Sequence, residues 1–204
     1  ASVHACSYPR DAEAVLLVEV EGLKEGLPPL IQRITALCEK NHAKSVRLAE
    51  SEEERLKFWK GRKGAFAAMG SISPNYVVQD GVVPRTRLPE VMRIVGEIGR
   101  KYSLSIANVS HMGDGNLHPL VLFDAKRPGE TERAIAASEE IIKACITLGG
   151  AVTGEHGVGI EKRDLMAYAY SEAELNAMRK LKQVFDPQGL CNPGKVLPVK
   201  STSA

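Results

Sequence analysis

Apolar residues in the first third of the chain predict two strands and two helices. The β-branched runs at 12–22 and 44–50 have the composition of strands. Between them, residues 28–41 begin with two prolines, which suit a helix start, and carry apolar residues on one helical face. After the second run, Ser51 and Glu54 form a capping-box pattern that predicts a helix to about Met69.

From residue 75 onward, segments with the composition of strands alternate regularly with segments that show the 3.6-residue period of a helix. We predict strands at 76–79, 104–109, 117–123 and 151–153, and helices at 88–102 and 130–148. The order βαββαβ is that of the split-βαβ or ferredoxin-like arrangement. We therefore predict an α+β protein whose helices lie on one face of a mostly antiparallel sheet. The expected parts are two ferredoxin-like lobes, at 12–70 and 75–155, and a C-terminal helix and tail at 160–204.

Composition excludes some classes of function. The 204 residues are 44% hydrophobic, and 27 basic residues against 25 acidic ones give a formal net charge of +2. Basic residues are dispersed among acidic ones and aromatics are only 5%, so we expect no nucleic-acid partner. The sequence contains no run of 18 apolar residues, so we predict no transmembrane helix. The four cysteines form no C-x-x-C pair, which favours a reduced, cytoplasmic setting.

The candidate chemistry lies in two glycine-rich segments. In SHMGDGNLHP, residues 110–119, His111 and His118 flank a turn, and in GGAVTGEHGVG, residues 149–159, Glu155 precedes His156. A ferredoxin-like order can bring these strand ends together. Two imidazoles and one carboxylate suit a divalent metal such as Zn, Mn or Fe and leave a position open for substrate, as in catalytic sites.

Each of these features also has an ordinary explanation. A histidine at the end of a strand is often only a polar surface residue. Asp114, a rival ligand, lies between two glycines, where aspartate is common in turns. Arg62 lies four residues from both Phe58 and Phe66 on the predicted helix. It therefore either covers the aromatic rings or binds a substrate carboxylate with its planar guanidinium.

Three segments together resemble a known family: NVSHMGDGNLHPLVLFD, GGAVTGEHGVGIEKRDLM and FDPQGLCNPGKVLP. They are similar to the C-terminal domain of FAD-linked oxidases of the vanillyl-alcohol-oxidase type, most of all to its branch of glycolate oxidase flavin subunits and D-lactate dehydrogenases. The similarity runs from about Val15 to Pro198. It implies a flavoenzyme that oxidises a D-2-hydroxy acid to the 2-oxo acid.

The resemblance also implies roles for the histidine segments. By the family pattern, a divalent metal is bound by His111, His118 and Glu155. His156 looks like the base that accepts the hydroxyl proton of the substrate, and Asn116 like a contact to its carboxylate.

Two further roles come from the resemblance alone. Arg62 is similar to a second substrate-carboxylate contact, and Asn192 to a residue beside the flavin. Relatives that act on longer diacids carry polar residues where this chain reads Gly-Ala-Phe at 64–66 and Val-Val at 77–78. A small acid such as glycolate or D-lactate is therefore the expected substrate.

FAD is expected to be held mainly by another domain. The chain has no G-x-G-x-x-G fingerprint after a strand. We expect residues 1–204 to be the substrate and metal domain of a longer chain, inactive alone, with an upstream FAD-binding domain. An iron–sulfur or second flavin subunit is a possible partner, and the expected location is cytoplasmic, also as a peripheral protein at the inner membrane. The alternatives are a non-catalytic ferredoxin-like module that binds a small acid or metal, and a metal-dependent hydrolase that uses Glu155 or His156 as base and needs no flavin.

Overall fold

The computed structural model describes residues 8–9 and 11–199, in two compact units of which the first ends at Met69 and the second begins at Gly70. The N-terminal unit contains helices α1 (Leu27–Lys40) and α2 (Glu52–Met69). Prolines lie in the first turn of α1, where a backbone N–H would have no helical partner. Before α2, the Ser51 hydroxyl accepts a hydrogen bond from the Glu54 N–H, as the capping pattern predicts. The Glu54 carboxylate accepts instead from the Glu50 N–H.

Both strands predicted for the first lobe are wrong. Residues 11–22 and 44–50 contain no strand, and the side chains of Leu16 and Leu48 are 65% and 56% exposed. Strand propensity gives a strand only when a neighbouring strand pairs with its backbone and its side chains find a surface to pack on. Within the part of the chain that the structure describes, no strand pairs with either segment. The lobe predicted at 12–70 is therefore helical here and is not ferredoxin-like.

The C-terminal unit contains all the strands of the described chain. In chain order its elements are β1 (Asn75–Val78), β2 (Gly81–Val82), α3 (Leu88–Tyr102), β3 (Ser105–Asn108), β4 (Asn116–Leu117), β5 (Pro119–Phe123), α4 (Glu130–Thr147), α5 (Met166–Ala169) and α6 (Glu172–Phe185). Strand β5 pairs with β1 on one side and β3 on the other, and β2 pairs with β4, all antiparallel. The predicted strand at 151–153 is reduced to one bridge between Ala151 and Val82.

Helices α3 and α4 pack on the sheet and enclose the main core. The buried residues of this core are Val83, Val91, Val95, Ile98, Leu117, Val121, Ala134, Ala137, Ile141 and Cys145. A second cluster joins α4 to the C-terminal helices through Ile142, Met166 and Leu175. Before α6, Ser171 and Glu174 form the complete capping box that their spacing predicts. The mixed helix and sheet class is thus confirmed.

Gly150 lies where the turn after α4 crosses β2. A Cβ atom there would lie 1.7 Å from the carbonyl oxygen of Val82 and 2.7 Å from that of Cys145. Because both obstacles are backbone atoms, no side-chain rotation relieves the overlap. We expect Gly150→Ala to lower the free energy of unfolding by about 2–3 kcal/mol, measured by urea denaturation. Gly113→Ala, whose Cβ would meet nothing within 4 Å, is the control, and equal midpoints for the two variants would contradict the prediction.

Candidate active site

A tight turn before β5 positions the first two histidines. His111 and Asn116 exchange backbone hydrogen bonds, with the His111 N–H donating to the Asn116 carbonyl at 2.9 Å and the Asn116 N–H donating back at 3.2 Å. Gly115 makes this turn possible because its φ is +76°, and a Cβ there would lie 2.2 Å from the Val83 carbonyl oxygen. The turn leaves His111 half-exposed, whereas His118 is only 2% exposed.

The loop at 153–157 positions the other two candidates around a buried carboxylate, that of Asp80. The backbone N–H groups of Gly154 and His156 donate to Asp80 Oδ2 at 3.0 and 2.9 Å. The N–H of Glu155 donates to Asp80 Oδ1 at 3.1 Å. Successive amides that point at one anion form a compact anion-binding loop. The loop geometry therefore depends on a residue more than 70 positions earlier in the chain.

Two side chains complete the surroundings of Asp80. The Thr153 hydroxyl donates to Asp80 Oδ2 at 2.5 Å, and the Lys162 ammonium lies 3.2 Å from the same oxygen. Burial alone would raise the pKa of Asp80, but the Thr153 hydroxyl, the loop amides and the Lys162 ammonium hold it well below its usual range. Because the pKa is lowered in the folded state, ionised Asp80 stabilises the fold at neutral pH, and this contribution is lost as the pH falls through the folded-state pKa.

Three imidazoles converge on one oxygen atom, Oε1 of Glu155. It lies 2.9 Å from His118 Nε2, 3.7 Å from His156 Nε2 and 3.9 Å from His111 Nε2. The His118 and His156 rings are stacked with centroids 5.0 Å apart, and the His111 ring stands edge-on to His118 at 5.4 Å. Ligand atoms of a tetrahedral metal site with bonds of about 2.0–2.2 Å lie roughly 3.4 Å apart. The observed separations are close to that value.

Burial keeps His118 in the form that can bind a metal. It lowers the pKa of His118, an effect that outweighs the opposite influences of the Gln79 carbonyl and the Glu155 carboxylate. The neutral imidazole that results has a lone pair on one nitrogen. Its Nδ1 lies 3.4 Å from the Gln79 carbonyl oxygen, and in the tautomer that donates Nδ1–H to this oxygen the lone pair of Nε2 is available to a metal shared with Glu155.

Asn116 has a buried side-chain oxygen, Oδ1, that accepts no hydrogen bond from the described residues. Gly154 lies against the same atom, since a Cβ there would be 2.6 Å from Oδ1. Buried polar side-chain atoms nearly always have a partner, so this amide is suited to contact a bound molecule.

Comparison with known proteins identifies the family of the chain. Residues 2–196 match the family model of the C-terminal domain of FAD linked oxidases. The chain belongs to this family. The resemblance predicted from the three motifs is thereby confirmed.

Several relatives of this FAD-linked oxidase domain are similar over nearly its whole length. It is 45% identical to the glycolate oxidase subunit GlcD of Escherichia coli (strain K12) over 96% of the chain, and 38% identical to that of Bacillus subtilis (strain 168) over 92%. It is 30% identical to the probable mitochondrial D-lactate dehydrogenase of Danio rerio over 92%. The chain covers 39%, 40% and 38% of these proteins, respectively.

The fold of this FAD-linked oxidase domain is also found in a solved structure. The 4-ethylphenol oxidase of Gulosibacter chungangensis, in complex with isoeugenol, aligns with a TM-score of 0.53 over 83% of this chain and 37% of its own, at 13% identity. At that identity the likeness concerns the fold alone. In addition, no helix within the described ranges is both long and apolar enough to cross a membrane.

Two other predicted site residues, Arg62 and Asn192, lie outside the 111–156 segment that contains His111, His118, Glu155 and His156. Arg62 is in α2 of the N-terminal unit, with its guanidinium 5.9 Å from the Phe66 ring centroid. The Phe58 ring is covered instead by Arg47. Asn192 is exposed, has a φ of +47°, and accepts a hydrogen bond from the Lys195 ammonium at 3.3 Å. The substrate role of Arg62 and the flavin role of Asn192 stay predictions.

Sequence reasoning missed two residues that the oxidase domain buries next to the site, Asp80 and Lys162. Both are charged, yet Asp80 is fully buried and Lys162 is only 5% exposed. Such residues are almost never fully buried unless they are paired. Asp80 follows β1 after Gln79 and precedes a glycine, a setting that is equally typical of an exposed turn, so the sequence gives no signal for it. Neither Asp114, the rival ligand, nor His111 belongs to the set whose ligand atoms all lie within 4.8 Å of one another, which is Asp80, His118, Glu155 and His156. His111 is nevertheless close to one member of it, with Nε2 3.9 Å from Glu155 Oε1.

Proposed function

We propose that this chain is the substrate- and metal-binding domain of a FAD-dependent oxidoreductase that oxidises a small D-2-hydroxy acid, such as glycolate or D-lactate, to the 2-oxo acid. The observation that carries the proposal is the convergence of His111, His118 and His156 on one carboxylate oxygen of Glu155. The substrate class is supported by the relatives, which are glycolate oxidase subunits and a probable D-lactate dehydrogenase.

The donor set fits a divalent metal such as Zn, Mn or Fe. Two imidazole nitrogens and one carboxylate, from His111, His118 and Glu155, are the ligands expected for an open catalytic site. Asp80 is a poor ligand because its oxygens already accept hydrogen bonds from the loop and form an ion pair with Lys162. A metal held here would supply a Lewis acid that lowers the pKa of the substrate hydroxyl.

The remaining chemistry falls to His156 and Asn116. His156 is about half-exposed and stacks on the buried His118, so it can reach a bound molecule while its ring stays oriented. We assign it the role of general base, which accepts the hydroxyl proton on a ring nitrogen. The Nδ2–H group of the buried Asn116 amide can donate to the substrate carboxylate, and Arg62 stays a second candidate for that contact.

FAD supplies the two-electron acceptor of such an oxidation when it is bound. We propose that an upstream FAD-binding domain holds most of it and that Asn192 is a contact from this chain. An iron–sulfur or second flavin subunit as partner, and a cytoplasmic location that can be peripheral to the inner membrane, belong to the same proposal.

We also propose that the C-terminal unit follows the ferredoxin-like plan. Its first, third and second predicted strands lie in that order in the sheet, with β5 between β1 and β3. The bridge from Ala151 to Val82 puts the fourth segment beside β2, which follows β1 after two intervening residues. Both observations support the split-βαβ order.

The test uses the natural full-length protein that contains this chain, purified with FAD. Rapid mixing without oxygen should reduce the flavin with glycolate or D-lactate, and much more slowly with L-lactate. A flavin that no 2-hydroxy acid reduces, in a protein that still binds the acid, would overturn the proposal in favour of a non-catalytic binding module. Reduction of both lactate enantiomers at equal rates would overturn the assignment of a D-specific site.

A further inference from the structure

We propose that Asp80, paired with Lys162, is a positioning residue that holds His118 and the 153–157 loop in the arrangement needed to bind the metal and the substrate. The inference rests on the proposed function of the site. It assigns a role to a carboxylate that lies among the candidate ligands but does not itself bind the ion.

The first argument is the number of groups that Asp80 holds. Its two oxygens accept hydrogen bonds from three consecutive backbone N–H groups, at 154–156, and from the Thr153 hydroxyl. The Thr153 oxygen in turn accepts from the Gly157 N–H at 2.9 Å, which closes the loop. Four of the five loop residues thus contact Asp80 directly, and the fifth does so through Thr153. Without this anion, three neighbouring N–H groups would point their partial positive charges at one another with no acceptor between them.

The second argument concerns the direction in which Glu155 and His156 then point. The backbone is fixed through its own N–H groups, and the ligand atoms of both side chains lie within 4.8 Å of those of Asp80 and His118. Both side chains extend toward the His118 ring, with Glu155 at 2.9 Å from Nε2 and the His156 ring stacked on it. Asp80 therefore determines where a ligand and the proposed base are placed without contacting the substrate.

The third argument is that Asp80 and its neighbour Gln79 lie beside Nδ1 of His118, the ring nitrogen that does not face Glu155. Asp80 Oδ1 is 4.0 Å from His118 Nδ1, and the neighbouring Gln79 carbonyl oxygen is 3.4 Å from the same nitrogen. Metal-binding histidines typically donate their other ring N–H to a carboxylate or a backbone carbonyl, which fixes the ring and its tautomer. Residues 79–80 therefore orient both halves of the site, the imidazole and the loop.

Lys162 supplies the charge that makes this arrangement stable. Its ammonium is buried and contacts Asp80 Oδ2 at 3.2 Å and the Asp80 carbonyl oxygen at 3.5 Å. A buried carboxylate without a counter-charge is costly. With Lys162 paired in this way, the pair is neutral, so Glu155 stays the only uncompensated carboxylate among the four clustered residues.

The experiment compares variants of the full-length protein by titration with Co²⁺, whose visible absorption reports on its ligands. Asp80→Asn keeps the shape but removes the charge, and Asp164→Asn is the control because its side chain is 83% exposed. We expect Asp80→Asn to weaken Co²⁺ binding by about 10- to 100-fold, with the shape of the bound Co²⁺ spectrum unchanged. A changed spectrum would make Asp80 a ligand and overturn the inference. So would unchanged affinity.

Hydrogen exchange in the metal-free protein gives a readout that does not need the metal. Peptides covering 153–157 should exchange faster in Asp80→Asn than in the parent, while peptides of α3 should not. A uniform rise across the protein, or a lower free energy of unfolding with Co²⁺ affinity intact, would indicate a merely structural role. If the parent protein binds no Co²⁺, the metal part of the proposed function fails, and the exchange of this loop still decides whether Asp80 positions it.

A milder variant keeps the test decisive if Asp80→Asn does not fold. Thr153→Val has nearly the same volume but removes the hydroxyl that joins Asp80 to the Gly157 N–H. We expect the same two effects with smaller size. Parent-like Co²⁺ affinity and parent-like exchange in this variant would overturn the inference.

Discussion

Glu155→Gln is expected to leave the full-length protein without tightly bound metal and without measurable oxidation of a 2-hydroxy acid. The substitution keeps the shape of a half-exposed side chain, so folding should be unaffected. It removes the negative charge of the oxygen on which three imidazoles converge. Loss of a direct ligand should exceed the roughly 10- to 100-fold loss in affinity that follows from changing a residue behind the ligands.

The measurement is the metal content of the purified protein by mass spectrometry, followed by flavin reduction with glycolate and D-lactate. Glu161→Gln is the matched control, since Glu161 is an exposed glutamate six residues later in the chain. It should retain both the metal and the activity. A Glu155→Gln protein with parent-like metal content would show that the assigned ligand set is wrong.

His156→Gln is expected to lower the rate of flavin reduction at saturating substrate by about 10²- to 10⁴-fold, the usual contribution of a general base. The metal should stay bound, because the assigned ligands are His111, His118 and Glu155. Flavin reduction is measured by rapid mixing, and the metal content by mass spectrometry of the same sample.

The two readouts together separate the roles of neighbouring histidines. His156 Nε2 and His111 Nε2 lie at similar distances from Glu155 Oε1, 3.7 and 3.9 Å, so distance alone does not distinguish a base from a ligand. Loss of metal in His156→Gln, with metal retained in His111→Gln, would exchange the two assignments. An unchanged rate with metal retained would remove His156 from the mechanism.

Local and periodic features of the fold could be predicted from the sequence. The helix at Leu88–Tyr102 has the predicted bounds, and the capping box at Ser171 forms as its spacing indicates. The strands predicted at 12–22 and 44–50 do not form, because strand formation depends on a pairing partner that local composition does not specify. The strand predicted at 151–153 is reduced for the same reason to one bridge, between Ala151 and Val82.

The site could be predicted only as far as its motifs extend. His118 and Glu155 come together because the strand order brings the end of the hairpin next to the segment after α4, and the βαββαβ pattern predicts that neighbourhood. Asp80 could not be found in this way. Its importance comes from being buried beside amides at 154–156, and nothing in its local sequence distinguishes it from an exposed aspartate in a turn.

The division of the chain into two units has a consequence for how such enzymes diversify. The proposed ligands and base all lie between residues 111 and 156, and Asp80 and Lys162 lie in the same unit. Arg62, the candidate for substrate recognition, is encoded in the other unit. On the proposed function, a lineage could therefore change the acid that it oxidises by mutation or recombination of the N-terminal segment and would keep the proposed metal ligands and general base unchanged.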